Sequence, residues 1–352
     1  MDTKEMIKSL TEATGVSGYE QKVQEDIRRL FEQFTDDIAV DTFGNVIAKI
    51  SGSGEELRPS VMVTAHADEI GFMISKIEEG GFLRIQPIGG VDPRTTLAQE
   101  VIVHGKDRDL LGIFGAKPPH LLQGEEARKA IPLDELFIDL GMEEQEVRKQ
   151  VRIGDVATIR RKAIPLLKDH MASKAMDDRS GIVLLLEMLK ELKRLQVQAD
   201  VYAVATVQEE IGVRGAMTSA YKIVPDIGIA VDVTHGSFPG IATDLAFDLG
   251  KGPVICHGPN IHRHLFDLLV TTAKEENIPY QIEVAQGPTG TDARAIQVTQ
   301  AGIATALVSI PLRYMHTSVE TLNTRDVIQG GKLLAQAIQR IDRTFTEGLT
   351  CY

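Results

Sequence analysis

The spacing of apolar and polar residues changes character along this chain. Near the start, QKVQEDIRRLFEQF carries apolar residues at helical intervals, and Ser17 with Glu20 just before it forms a capping-box pattern. DIAVDTFGNVIAKI predicts two strands about a turn at Gly44-Asn45. VMVTAHADEIGFMI is apolar without a break from Val61 to Val63, as a strand covered on both faces would be. Between residues 73 and 164 the pattern shortens. FLRIQPIGG, EVIVHG, LLGIFGA and DVATIR read as brief strands, divided by Gly, Pro and the charged clusters QGEEARK and GMEEQEVRKQ, with a short helical segment around PLDELF.

After Ala175 a slower alternation begins. SGIVLLLEMLKELKRL and HRHLFDLLVTTAKEEN predict helices, as does a stretch within TRDVIQGGKLLAQAIQRIDRTF. DVYAVATV, DIGIAVDV, PYQIEVA and TALVSIP predict strands. Helices alternating with apolar strands imply an α/β fold, a largely parallel sheet with helices on both faces. The middle module is then an insertion: residues 1–72 and 165–352 form the α/β domain and 73–164 an inserted β-rich domain.

A length of 352 residues accommodates that division. The net charge of −12 argues against a nucleic-acid partner, which needs clustered cations. No apolar run reaches the length of a membrane span, and MDTKEMIKSLTEATG lacks the core of a signal peptide, so a cytoplasmic location is expected. Cys256 and Cys351 are too few for a disulfide framework or a thiolate site. Any metal must be held by His, Asp and Glu.

Those residue types gather where strands end. His66 and Asp68 follow VMVTA, Glu209 and Glu210 follow VYAVATVQ, Asp232 ends IGIAV, and His316 comes shortly after ATALVSIPLR. Asp177 and Asp178 precede a helix. In open α/β sheets ligands bind at the carboxyl ends of the strands. Two imidazoles, two terminal carboxylates, a bridging carboxylate and a spare base make up the inventory of a binuclear metal site. Asp178 also suits a helix N-cap, and Arg179 could pair with either aspartate. His257, His262 and His264 suit loop and helix-surface roles. TGTDARA, with Thr291 and Asp292, is either a pocket-lining loop or a simple turn.

HADEIGF, AMDDRSG, QEEIGVRGA, VDVTH and HTSVE, in this order and spacing, resemble the tetrahedral, glutamyl- and deblocking-type metallo-aminopeptidases over essentially the whole chain. The resemblance implies a zinc-peptidase-like sheet with a PDZ-like or barrel insertion that dimerises, the dimers assembling into a dodecamer. It also implies two divalent ions per subunit, zinc or cobalt with manganese possible, and peptide substrates. By the same resemblance His66, Asp177, Glu210, Asp232 and His316 are metal ligands, Asp177 being the bridge. Glu209 is then the general base and Asp68 the orienter of His66. Composition alone does not separate Asp177 from Asp178. Two other classes compete: a glycoside hydrolase using Glu209 and Glu210, and a non-catalytic scaffold stabilised by metal. The first leaves both histidines without a role, and sequence neighbours seldom give the carboxylate separation it needs. Structural zinc sites, in turn, are commonly rich in Cys.

Overall fold

The computed structural model describes residues 1–53, 57–121, 124 and 130–349. Apart from Gly124, the QGEEARK cluster lies outside them, as does Cys351. An eight-stranded sheet runs in the order 38–40, 46–50, 200–206, 60–66, 227–235, 304–312, 254–257 and 281–284. The four central strands are parallel, with Thr206 beside His66 and Asp232 beside Ser309. The edges are not. Val46–Ile50 pairs antiparallel with Asp200–Thr206, and Val254–His257 antiparallel with Ala304–Leu312.

Alternation along the central strands explains why they are apolar throughout. Val61, Val63 and Ala65 point into one core, shared with Ile182, Leu185 and Leu189 of the Met176–Leu192 helix and Leu334 of the Thr324–Gln339 helix. Met62, Val204 and Ala230 point into the other, against Ala216 and Ala220 of the Arg214–Ile223 helix and Ile296. A strand between two helical layers has no wet face, so period-two polarity disappears.

The inserted segment closes into a six-stranded antiparallel barrel, in the order 71–77, 83–88, 137–139, 109–114, 100–104 and 156–159. Its interior is filled by Phe72, Ile74, Leu83, Ile85, Val101, Val103 and Phe114, with the Phe72 and Phe114 rings edge to face at 4.9 Å. Closure leaves no free edge. A small antiparallel sheet of Ile164–Pro165, His170–Ser173 and Glu320–Asn323 sets Glu320 opposite Ser173, next to the start of the long buried helix.

The structure differs from the local sequence pattern in two places and adds a helix in a third. The Ser17–Glu20 pair does not form a capping box: the Ser17 hydroxyl donates to Asp68, while the Glu20 carboxylate accepts from the Gly18 and Gln208 amides. GMEEQEVRKQ, taken as a divider, contains the Glu144–Gln150 helix, whose single buried residue is Val147. The sequence RGAMTSAYKI also forms a helix, Arg214–Ile223, with small residues on its buried face.

Candidate active site

The carboxyl ends of the parallel strands meet at one groove. His66 ends its strand, Asp232 lies near the end of the next, and Glu209 and Glu210 occupy the turn after Asp200–Thr206. Asp177 precedes the regular turns of its helix, where it and Asp178 depart from helical geometry and share a cis peptide bond. His66, Asp177 and Asp232 are buried; Glu209, Glu210 and His316 are half-buried.

Asp177 is the centre of the arrangement. Its Oδ1 lies 2.9 Å from His66 Nε2 and its Oδ2 lies 3.4 Å from His316 Nε2, so each oxygen faces a different imidazole. His316 Nε2 is also 3.3 Å from Glu210 Oε1. Asp178 is held by backbone amides instead of imidazoles. Its Oδ2 accepts the His66 backbone amide at 3.2 Å and its Oδ1 accepts the Gly181 amide at 3.1 Å, so it caps the helix and ties it to the strand. Arg179 pairs with neither aspartate. Fully buried, it bonds Glu69 at 3.1 Å and the carbonyls of Leu10, Ala13 and Ala67.

The supporting contacts orient both rings. His66 Nδ1 meets the Asp68 carbonyl at 3.1 Å, and His316 Nδ1 meets the Gly90 carbonyl at 3.1 Å. Each ring nitrogen that faces a carbonyl must carry a proton, so Nε2, which faces the carboxylates, is the nitrogen a metal would take. The Asp68 carboxylate accepts the amides of Glu209 and Glu210 at 3.0 and 3.1 Å, and so sets the turn that aims both glutamates. Glu320 accepts amides from Met176, Asp177 and His316 at 2.7, 3.2 and 2.8 Å. One carboxylate thus clamps two ligand-bearing segments that are far apart in sequence.

The electrostatics show what this donor set requires. Burial and the nearby Asp177 push the Asp232 carboxyl well above its ordinary range, and burial with Asp232 does the same to Asp178. Burial likewise raises Glu210, and it pushes Glu209 up to about 10. Hydrogen bonds to Asp177 and Glu210 raise His316 to about 11. Burial alone would lower His66, yet its bonds to Asp177 and Asp68 outweigh that and hold it well above its usual value. Two imidazoles therefore face five crowded acids, an excess of anionic oxygen that divalent cations would offset. His66, Asp178 and Asp232 offer ligand atoms within 4.8 Å of one another, as do His66, Asp177 and Glu210. The residues fit a metal centre of nitrogen and carboxylate donors.

The groove outside this cluster encloses about 790 Å³. Thr289 and Thr291 line it, with their hydroxyls 2.8 Å apart. Asp292 is buried beneath that loop, where it accepts the Thr206 hydroxyl at 2.7 Å. His257 and His264 do not line the groove; the His257 ring packs 4.4 Å from Phe266.

Residues 44–333 match the M42 glutamyl aminopeptidase family. The chain belongs to that family. A curated relative, the lysyl aminopeptidase of Pyrococcus furiosus, is 38% identical over 97% of this chain and 99% of its own. The aminopeptidase of the archaeon Desulfurococcus kamchatkensis superposes with a TM-score of 0.92 at 38% identity, covering 99% of this chain and 97% of that one. The TET1 peptidase of Pyrococcus horikoshii, described as assembling into a tetrahedron or a large octahedral shell, matches at 0.85 and 33% identity over 97% of this chain and 100% of its own. This M42 chain is a peptidase acting on amino-terminal residues, which removes the glycosidase and scaffold alternatives. Within the M42 site the sequence reading missed Glu320 and Gly90 as supports. Glu320 stood inside HTSVE, but only the fold reveals its amide partners. Gly90 acts through its carbonyl, which carries no side-chain signal.

Proposed function

We propose that this M42 aminopeptidase is a dinuclear metal enzyme that removes the first residue of peptides, with Glu209 as general base. The Asp177 carboxylate, one oxygen toward each of two imidazoles from separate segments, is the observation that carries the reading. His66, Asp177 and Asp232 would hold one ion, and Asp177, Glu210 and His316 the other. Zinc or cobalt suits such a set, and manganese is a further candidate. When bound, two ions of this kind acidify a water and offset the charge that grows on the peptide carbonyl oxygen.

The protein's own groups do the rest. Glu209, outside the ligand set, takes a proton from water and returns it to the leaving amine. Asp68 positions His66 through its carbonyl and the two glutamates through its carboxylate. Thr291 faces the substrate across the groove, and Asp292 holds that wall from beneath. Residues 1–72 and 165–352 are the catalytic domain in this reading, and 73–164 are an inserted dimerisation domain. The shell described for the Pyrococcus horikoshii relative supports a homo-oligomer, which in this reading is a dodecamer built of dimers. Among the described residues no helix is long and apolar enough to cross a membrane, in keeping with a cytoplasmic enzyme.

Glu209→Gln is expected to lower turnover of aminoacyl chromogenic substrates by roughly 10²–10⁴-fold while bound metal stays near the wild-type level. Full activity in that variant would remove Glu209 from the role. Chelation should abolish activity reversibly, with zinc or cobalt restoring it.

A further inference from the structure

Beyond Thr206 the chain leaves the sheet, and the next four backbone amides have no place in the strand ladder. Each finds a side-chain oxygen from another segment. Val207 donates to Asn45 Oδ1 at 3.1 Å, Gln208 to Glu20 Oε1 at 3.1 Å, Glu209 to Asp68 Oδ1 at 3.0 Å and Glu210 to Asp68 Oδ2 at 3.1 Å. Amides shielded from water need such partners, and acceptors at four successive positions fix the path of the backbone residue by residue. Gln208, in the middle of this run, has a φ of +56°. A residue other than glycine holds that left-handed conformation only where its surroundings impose it.

Glu20 stands outside the metal cluster and is buried, yet among the described residues no cation pairs with it. Its Oε1 accepts the Gly18 amide at 2.7 Å as well as that of Gln208. A buried carboxylate without a counter-charge is costly, and the amides it accepts are what offset that cost. The segment that carries Glu20 is itself fixed from beneath. Val16 bridges Glu69, the Gly15 amide donates to Glu69 Oε1 at 3.0 Å, and the Ser17 hydroxyl donates to Asp68. Glu69 is locked in turn by Lys174 at 2.6 Å and Arg179 at 3.1 Å, all three side chains being buried. Residues 15–20 thus form a braced floor under the turn, and Glu20 grips that turn one residue before Glu209.

We propose that Glu20 is a positioning residue for the general base: by accepting the Gln208 amide it fixes the left-handed turn that aims the Glu209 carboxylate at the reacting water. The inference rests on Glu209 acting as that base. Glu20 touches no reacting atom and acts only through the backbone of its neighbour. Proton transfer depends steeply on where the base is held, so slack in this turn lowers turnover without emptying the metal site.

The test measures kcat, KM and bound metal on the metal-loaded enzyme with aminoacyl chromogenic substrates. It compares the wild type with Glu20→Met, Glu20→Gln, Glu209→Gln and the double variant of Glu20→Met with Glu209→Gln. Glu20→Met keeps the length of the side chain but offers no oxygen, and it should lower kcat roughly 10–100-fold with KM and bound metal near the wild-type levels. Glu20→Gln retains an accepting oxygen and should stay within about threefold of the wild type. In the Glu209→Gln background, Glu20→Met should lower the residual turnover by less than about threefold, because the base it positions is already gone. Should Glu20→Met fail to fold, Glu20→Asp, which keeps the charge on a shorter arm, is read in the same two backgrounds, with loss expected only where Glu209 is present. A wild-type kcat in the Glu20 variant, or an equal loss in both backgrounds, overturns the proposal and leaves Glu209 as the base. Full activity of Glu209→Gln overturns both.

Discussion

Each carboxylate around the centre is defined by what its oxygens touch. Asp177 and Asp178 are adjacent and chemically identical, yet one faces two imidazoles and the other accepts two backbone amides. Glu320 is expected to act by positioning: Glu320→Ala should weaken metal binding about 10–100-fold, read by metal titration, because Asp177 and His316 lose a common clamp. Glu20 lies below the Gln208–Glu210 turn, and burial pushes its carboxyl up to about 7 from an ordinary 4.5. An acid with a raised folded value stabilises fully below its unfolded value, and that contribution is lost as pH climbs to the folded one. Between pH 4.5 and 7 the wild type should therefore lose of order 1–3 kcal/mol at this position. Glu20→Gln, which keeps an accepting oxygen, should flatten the dependence, so that its melting temperature gains on the wild type's between pH 5 and 8. A parallel pair of curves would deny Glu20 this part.

At the level of elements, the Met176–Leu192 helix and the Thr324–Gln339 helix approach closely because glycine permits it. A Cβ on Gly331 would stand 2.8 Å from the Met188 amide and 2.9 Å from the Leu184 carbonyl, both of them backbone atoms that cannot swing aside. Gly331→Ala should cost about 1–3 kcal/mol in urea unfolding, although the same change in an open helix would stabilise. Both helices were legible from their apolar spacing, as were the central strands. The Glu144–Gln150 helix was not, because a surface helix with only one buried residue carries little periodic signal. Arg214–Ile223 was hidden for a related reason: its buried residues Gly215, Ala216, Ser219 and Ala220 are too small to stand out.

Across the whole molecule, the barrel and the sheet share one centre. The Gly90 carbonyl, contributed by the loop after Leu83–Ile88, orients His316, and a Cβ there would lie 2.7 Å from His316 Nδ1. Gly90→Ala should therefore displace the ring and lower kcat/KM by at least about tenfold while leaving the melting temperature nearly unchanged. Metal removal should act on the entire fold. With crowded acids left uncompensated, the chelated protein should melt at lower temperature, and restoring ion to a hundred times its Kd should return about 2.7 kcal/mol of stability.

By itself, the sequence determined the α/β class, the inserted β segment and the residue types of the centre. Those follow from local periodicity and from polar residues placed after apolar strands, both of which are properties of neighbouring positions. Only the tertiary structure decided which aspartate faces the imidazoles, and it alone gave Arg179 its partner in Glu69 and Asp292 its burial beneath Thr206. These outcomes depend on register and crossing between segments more than eighty residues apart, where one-residue shifts change a side chain's direction and no neighbour in the chain records the choice.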